Sequence, residues 1–188
     1  MLKRLCQVNG GSDIKFLMSV YHKDSPSAFK EALDSLVNSV VSPDEVVLVE
    51  DGPLGDELQS VISSYSNKLP VKNVKLANNV GLGKALSIGL RECSYEWVAR
   101  FDSDDIFHPA RFQTQVAFIQ QHESIDIIGT AIAEFESSKN DIHAYRKPPI
   151  NHDEVVITDV DNLADFSHAI ERFFRKKLYL LGIFRCIQ

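Results

Sequence analysis

The amino-acid sequence predicts an α/β domain with a mostly parallel central sheet and helices on both of its faces. Two observations support this class. Short apolar runs, several rich in β-branched residues, alternate with amphipathic stretches between residues 14 and 133, and turn-forming acids or glycines follow several of the runs. Strands that alternate with helices imply right-handed crossovers, so consecutive strands lie parallel and helices cover the sheet. A chain of 188 residues, 44% of them hydrophobic, is long enough for one such core.

The first predicted unit is a strand, a helix and a second strand. Residues 14–21 are apolar, and residues 24–26 (Asp-Ser-Pro) supply helix caps and a proline suited to a first helical turn. The buried face of this helix is predicted from three-and-four spacing to contain Phe29, Ala32, Leu33, Leu36, Val37 and Val40. Residues 45–49 form the second strand, which residues 50–53 (Glu-Asp-Gly-Pro) end with a turn.

The middle of the chain repeats this order. Residues 56–65 predict a helix, residues 71–76 a third strand, and residues 78–81 a loop that opens another helix. The apolar face of that helix is predicted to contain Leu82, Ala85, Leu86, Leu90 and Cys93.

A fourth strand, residues 97–101, runs directly into four residues of which three are acids, residues 102–105. A helix that begins at Pro109 follows, and residues 125–133 form a fifth apolar run. Ligands of open α/β sheets bind beyond the carboxyl ends of the strands. Asp51 and the acidic cluster are therefore both predicted at the ligand-binding edge.

Charge and cysteine content exclude several classes of protein. The net charge of -6 speaks against duplex nucleic acid as a partner, because such proteins usually present a basic face. An anionic small ligand would need local help here, such as a metal ion. Cys6, Cys93 and Cys186 are far apart and odd in number, which argues against disulfide and zinc frameworks and favours a reducing cytoplasm. We find no signal peptide, and the longest apolar run is too short to span a bilayer, so we expect at most peripheral contact with the inner face of the cell membrane.

The acidic cluster has the chemistry of a metal site. In an extended segment, Asp102 and Asp104 present both carboxylates to one point. Mg²⁺ or Mn²⁺ is commonly held by one or two carboxylates while substrate phosphates complete its shell, and the ion can neutralise a departing nucleoside diphosphate. The alternative is that these acids only cap the following helix.

Two further segments are candidates for nucleotide binding. Asp51 is placed to accept a hydrogen bond from a uracil imide or a ribose hydroxyl, although an Asp before Gly is also a common turn former. The residues that open the third helix can face phosphates or the nucleoside with backbone N–H groups and a cation; they are Asn79, Gly81, Gly83 and Lys84.

Other motifs fail on spacing. Residues 81–86 lack the third glycine of a dinucleotide fingerprint, and Ala85 stands where a phosphate loop needs Ser or Thr. A calcium-binding EF-hand loop beginning at Asp102 would need glycine at Phe107. A D-x-D phosphatase with Asp102 as nucleophile remains an alternative, although that motif normally ends the first strand of its domain.

Four segments together resemble family-2 glycosyltransferases with the GT-A fold, of the kind that assemble bacterial polysaccharide, lipopolysaccharide and O-antigen. The segments are Met18-Ser19-Val20-Tyr21, residues 43–52, residues 79–86, and Ala99-Arg100-Phe101-Asp102-Ser103-Asp104-Asp105. The resemblance covers roughly residues 14–150. It implies a nucleotide-sugar-binding GT-A domain at residues 1–150 and leaves residues 151–188 as an incomplete or divergent C-terminal segment.

The resemblance also implies roles for individual residues. Ser19, Tyr21 and Asp51 would line the nucleoside pocket, and Asp102 would lie near the ribose. Asp104 would bind Mn²⁺ or Mg²⁺. On the same matching motifs, the donor site would also include Asn79, Lys84 and Arg100. Asp105 would be a further metal ligand.

Family members transfer a sugar from a nucleotide diphosphate sugar, here expected to be a UDP-sugar, to a saccharide or lipid-linked acceptor with inversion. An enzyme carboxylate deprotonates the acceptor hydroxyl. The sequence does not identify this base; the available carboxylates are Glu134, Glu136, Asp153 and Glu154. A catalytically silent nucleotide-binding remnant is the alternative function.

The basic segment 172–188 allows three interpretations. It could be a membrane-surface element suited to anionic lipid, an ordinary final helix, or the out-of-register tail of a truncated reading frame.

Overall fold

The computed structural model describes residues 14–94, 97–122, 127–135, 140–146 and 183–185. Within these ranges the strands are β1 (Ile14–Val20), β2 (Val46–Glu50), β3 (Val71–Lys75), β4 (Trp97–Arg100), β5 (Ile127–Ile128), β6 (Ile132–Phe135), β7 (Ile142–Arg146) and β8 (Ile183–Arg185). The helices are α1 (Pro26–Val37), α2 (Asp56–Tyr65), α3 (Leu82–Arg91) and α4 (Arg111–Gln121).

The six-stranded central sheet has the order β3-β2-β1-β4-β8-β5. The strands β1 to β4 are parallel, while β8 is antiparallel to both of its neighbours. Helical crossovers join the parallel strands, so β1, β2 and β4 end at the same edge of the sheet. The predicted mostly parallel sheet is confirmed.

Helices pack on both faces of this sheet, as predicted. In β2, Val46 and Leu48 join a core cluster with residues of α1, α2 and α4, whereas Val47 and Val49 join a second cluster with α3. The alternation follows from the two-residue period of a strand. Helix α3 lies very close to the sheet at Gly89, where an added Cβ would be 2.5 Å from Cγ2 of Val49.

Three apolar residues that periodicity assigned to buried helix faces are exposed. Val37 is the last residue of α1 and Leu82 the first of α3, and they are 39% and 47% exposed. Val40 lies beyond the end of α1 and is 60% exposed. These positions are at or beyond the helix ends, where a regular helical face no longer continues over the core.

The region after α4 differs from the prediction of one fifth strand at residues 125–133. This run contains the two-residue β5 and the separate β6, which pairs with β7 in a small antiparallel sheet. Strand β8 enters the central sheet between β4 and β5. Part of the predicted C-terminal segment 151–188 therefore belongs to the sheet, and residues 151–182 lie outside the described residues. No described helix is both long and apolar enough to cross a membrane.

Candidate functional site

The predicted site residues at the ends of β1, β2 and β4 share one edge of the sheet. Tyr21 directly follows β1, and Asp51 directly follows β2, where its backbone N–H donates to the carbonyl of Val20 at 2.8 Å. Beside them, the N–H of Phe101 donates to the carbonyl of Leu17 at 3.1 Å. The parallel register thus brings together segments that are far apart in sequence, such as those around Leu17 and Phe101.

The carboxylate of Asp51 holds the loop in front of α3. Its Oδ1 accepts from the N–H of Val80 at 2.7 Å, and its Oδ2 accepts from the N–H of Gly81 at 3.1 Å. The side-chain amide of Asn79 donates to the Asp51 carbonyl at 3.2 Å. Asp51 is 2% exposed, so a contact with a nucleoside would have to use the lone pairs that these two N–H groups leave free.

Two glycines with positive φ shape the same turn and loop. Gly52 has φ +88, and a Cβ there would lie 2.6 Å from the backbone nitrogen of Asn79. Gly81 also has φ +88 and precedes α3 without a side-chain cap. The first N–H groups of α3 therefore have no capping side chain, and the exposed Lys84 lies in this first turn.

Ser19 and Tyr21 differ in accessibility. Ser19 is within β1 and only 8% exposed, whereas Tyr21 is 37% exposed and its ring lies edge-on to that of His22. Of these two predicted nucleoside-pocket residues, only Tyr21 has an exposed side chain, and the role of both in a nucleoside pocket stays a prediction.

Arg100 and Asp102 form an ion pair at the end of β4, with Nη2 and Oδ1 2.5 Å apart. Burial raises the pKa of Asp102, the charge of Arg100 opposes this rise, and the charge of Asp104 adds to it. Arg100 is only 3% exposed. In this structure its guanidinium contacts Asp102, and its role as a donor-site residue stays a prediction.

The two predicted metal ligands have different environments. Asp104 is exposed, whereas Asp105 is partly buried, and this burial raises its pKa to about 7 with help from the charges of Asp102 and Asp104. Arg111, at the start of α4, opposes that rise. Burial in turn lowers the pKa of Arg111 to about 10.

These acids fit a hard divalent cation in chemistry but form only part of a coordination shell. The Oδ2 of Asp105 is buried and accepts no hydrogen bond in the described part of the protein, so it is a carboxylate oxygen with unused acceptor capacity. Carboxylate oxygens are ligands that Mn²⁺ and Mg²⁺ prefer. Within the described ranges, no group of three or more His, Cys, Asp or Glu side chains is arranged to hold an ion.

The structure adds two residues that the sequence analysis did not assign to the site, Asp24 and Ser103. The Oδ2 of Asp24 accepts from the Ser103 hydroxyl at 2.9 Å and from the N–H of Tyr21 at 3.1 Å. The sequence suggested Asp24 only as a cap residue, but the N-cap of α1 is Ser25. No local pattern indicates a contact across 79 positions.

A mostly parallel sheet of this order, with helices on both faces and an acidic segment at its carboxyl edge, is an α/β domain of the GT-A class. The chain belongs to glycosyl transferase family 2, whose family model matches residues 16–182. The match extends beyond residue 150, where the resemblance in the sequence ended. The phosphatase interpretation has no support from this family.

Among proteins similar to this chain is an uncharacterized glycosyltransferase of Haemophilus influenzae, 49% identical over 140 residues, which are 74% of this chain and 52% of that protein. The Escherichia coli UDP-Gal:alpha-D-GlcNAc-diphosphoundecaprenol beta-1,3-galactosyltransferase is 35% identical over 166 residues, 88% of this chain and 60% of that protein. The chain therefore spans little more than half the length of these relatives.

A solved structure with the same fold is TarS 1-349 of S. aureus in complex with UDP-GlcNAc. It has a TM-score of 0.57 and 26% identity, over 72% of this chain and 36% of that one.

Proposed function

We propose that this chain forms the donor-binding domain of a metal-dependent enzyme that transfers a sugar, with inversion, from a UDP-sugar to a saccharide or lipid-linked saccharide acceptor in surface polysaccharide synthesis. The observation that carries the proposal is the shared edge of β1, β2 and β4. There, the exposed ring of Tyr21, the loop held by Asp51 and the acidic segment 102–105 lie at the ends of adjacent strands.

Each part of this edge has a role toward a nucleotide diphosphate sugar. The aromatic face of Tyr21 is suited to the nucleoside, and Lys84 with the N–H groups at the start of α3 is suited to negative charge. Asp104 and Asp105 would hold Mn²⁺ or Mg²⁺, which would offset the charge of the diphosphate. Without a cation, these acids would repel the donor.

Two relatives support this choice of substrates. TarS was solved with UDP-GlcNAc, and the Escherichia coli relative is named for transfer from UDP-Gal to an acceptor linked to diphosphoundecaprenol. An acceptor of that kind lies at a membrane, which supports a cytoplasmic enzyme in peripheral contact with the inner face. We assign no catalytic base. Glu134 lies in β6 and is half-buried, while Glu136, Asp153 and Glu154 lie outside the described residues.

Calorimetric titration of UDP with and without Mn²⁺ tests the proposal. We expect Mn²⁺-dependent binding to the wild-type chain and its loss in Asp104→Asn, whose exposed side chain can change without disturbing the core. Glu31→Gln is the matched control, because it removes the same charge from an exposed position on α1. No binding to the folded wild-type chain would overturn the donor site. Product formation from a UDP-sugar and a lipid-linked acceptor would then test transfer.

A further inference from the structure

We propose that Asp24 is a positioning residue of the donor site, which fixes the acidic segment after β4 relative to the end of β1. This inference rests on the proposed function. In this proposal, Asp24 itself contacts neither the donor nor the metal ion. Its carboxylate fixes the positions of residues that do make those contacts.

A single oxygen atom makes the connection. The Oδ2 of Asp24 accepts from the backbone N–H of Tyr21 at 3.1 Å and from the hydroxyl of Ser103 at 2.9 Å. Tyr21 follows β1, and Ser103 lies between Asp102 and Asp104 in the acidic segment. Movement of the acidic segment away from Tyr21 would break one of these two bonds.

A second attachment to the same side of the fold lies two residues after the acidic segment. The N–H of Phe107 donates to Oγ of Ser35 at 3.1 Å, and that hydroxyl donates to the carbonyl of Ala32 at 2.6 Å. Ser35 and Ala32 both lie on α1, which begins two residues after Asp24. Residues 103–107, which include most of the acidic segment, are thus held at both ends by residues 24–35.

A purely local role does not account for Asp24. The N-cap of α1 is Ser25, whose hydroxyl accepts from the N–H of Ala28. Two hydrogen bonds between Tyr21 and Asp24 close a local turn: the N–H of Tyr21 donates to the Asp24 carboxylate, and the N–H of Asp24 donates to the Tyr21 carbonyl. This turn does not require Ser103. The long-range bond is an additional constraint.

The charge of Asp24 is also costly at this place. It is half-buried beside an acidic segment, and no lysine, arginine or histidine within the described ranges lies close enough for an ion pair with it. Burial raises the pKa of Asp24 and the charge of Asp104 adds to this rise, whereas the hydrogen bonds from Tyr21 and Ser103 and the charge of His22 oppose it. A cation bound at Asp104 would relieve this repulsion, so Asp24 would favour the metal-loaded form by charge as well as by position.

The test compares Asp24→Ala, Ser103→Ala and the double variant, with Ser103→Thr as the conservative change and Glu31→Gln as the charge control. The measurement is the UDP dissociation constant by calorimetry, with and without Mn²⁺, and thermal unfolding establishes that each variant folds. We expect the Mn²⁺-dependent gain in affinity to fall about tenfold in each single variant, the lower end of what residues that orient metal ligands contribute. Binding of UDP without Mn²⁺ should change little.

The double variant should bind no more weakly than the weaker single variant, since both changes break one contact. Ser103→Thr, which keeps the hydroxyl, and Glu31→Gln should bind like wild type. Ser103→Ala keeps every charge and tests the same bond if Asp24→Ala fails to fold.

The outcomes separate the two proposals. If wild type shows Mn²⁺-dependent binding that Asp104→Asn abolishes, but Ser103→Ala and Asp24→Ala leave it unchanged, the role of Asp24 is wrong and the proposed function stands. If the losses of binding free energy in the two single variants add fully in the double variant, the proposal that both residues act through one shared contact is also wrong. If the folded wild-type chain does not bind UDP, both proposals fail.

Discussion

The guanidinium of Arg100 and the carboxylate of Asp102 lie 2.5 Å apart at the carboxyl end of β4, and their side chains are 4% and 16% exposed. The pair fixes the first acid of the segment 102–105 against the sheet. It also lowers the cost of burying Asp102, because the positive charge stabilises the ionised carboxylate.

Arg100→Met should therefore destabilise the fold by about 3 kcal/mol, since it leaves Asp102 without its buried partner. The pKa of Asp102 should rise further. Urea unfolding measures the loss, and Arg91→Met, at an exposed position in the last turn of α3, is the control. The double variant Arg100→Met with Asp102→Asn should recover part of the stability. Equal stability of Arg100→Met and the control would contradict the prediction.

Asp51→Asn should release the loop that precedes α3. An asparagine can accept from only one of the two N–H groups of Val80 and Gly81, and its own NH₂ would then face the other. We expect a loss of about 1–3 kcal/mol in unfolding free energy and faster hydrogen exchange of both amides. Asp141→Asn, at an exposed position, should change neither. Unchanged exchange together with lost UDP binding would indicate that Asp51 acts by contacting the nucleoside.

Two glycines after β2 should respond oppositely to the same substitution. Gly52→Ser would place a Cβ 2.6 Å from the backbone nitrogen of Asn79 at a residue with φ +88, so we expect a loss of at least about 2 kcal/mol. Gly55→Ser meets no atom within 4 Å and places a favoured cap residue before α2, so it should be neutral or slightly stabilising. Thermal unfolding of the two variants measures the contrast. Similar melting temperatures would argue against the close approach at Gly52.

Asp105 should make stability fall as pH rises, when no divalent cation is present. Its pKa is about 7 in the folded protein against an ordinary value of 3.8, so between these values the folded state holds a proton that the unfolded chain has lost. Stability should decline across this window with a slope of up to about 1.4 kcal/mol per pH unit. Asp105→Asn should lack this contribution, so its advantage over wild type should grow from about pH 4 to about pH 7.

Urea unfolding of both proteins across that window is the measurement. Mn²⁺ should reduce the difference above pH 7 if Asp105 binds the ion, because the cation stabilises the ionised carboxylate. A difference between the two proteins that does not change with pH would show that Asp105 titrates normally.

Local pattern was sufficient for the four parallel strands of the sheet and for its helices. The helix at residues 56–65 has the predicted bounds, and the strands at residues 14–20, 46–50, 71–75 and 97–100 each lie within one or two residues of prediction. The reason is that burial on both faces of a parallel sheet demands continuous apolar runs, and an amphipathic helix demands a fixed period. Strand β8 was not predicted, because three residues carry no period.

The sequence by itself determined the α/β class, the order of its first elements and the placement of Asp51 and the acidic segment at strand ends, because side-chain period and turn residues are local properties. Only the tertiary structure decided which groups these side chains contact. Asp51 is bound by the N–H groups of Val80 and Gly81, and Arg100 turns to Asp102. The bond between Asp24 and Ser103 joins residues 79 positions apart. Such contacts depend on how strands align and loops pack, which no short stretch of sequence encodes.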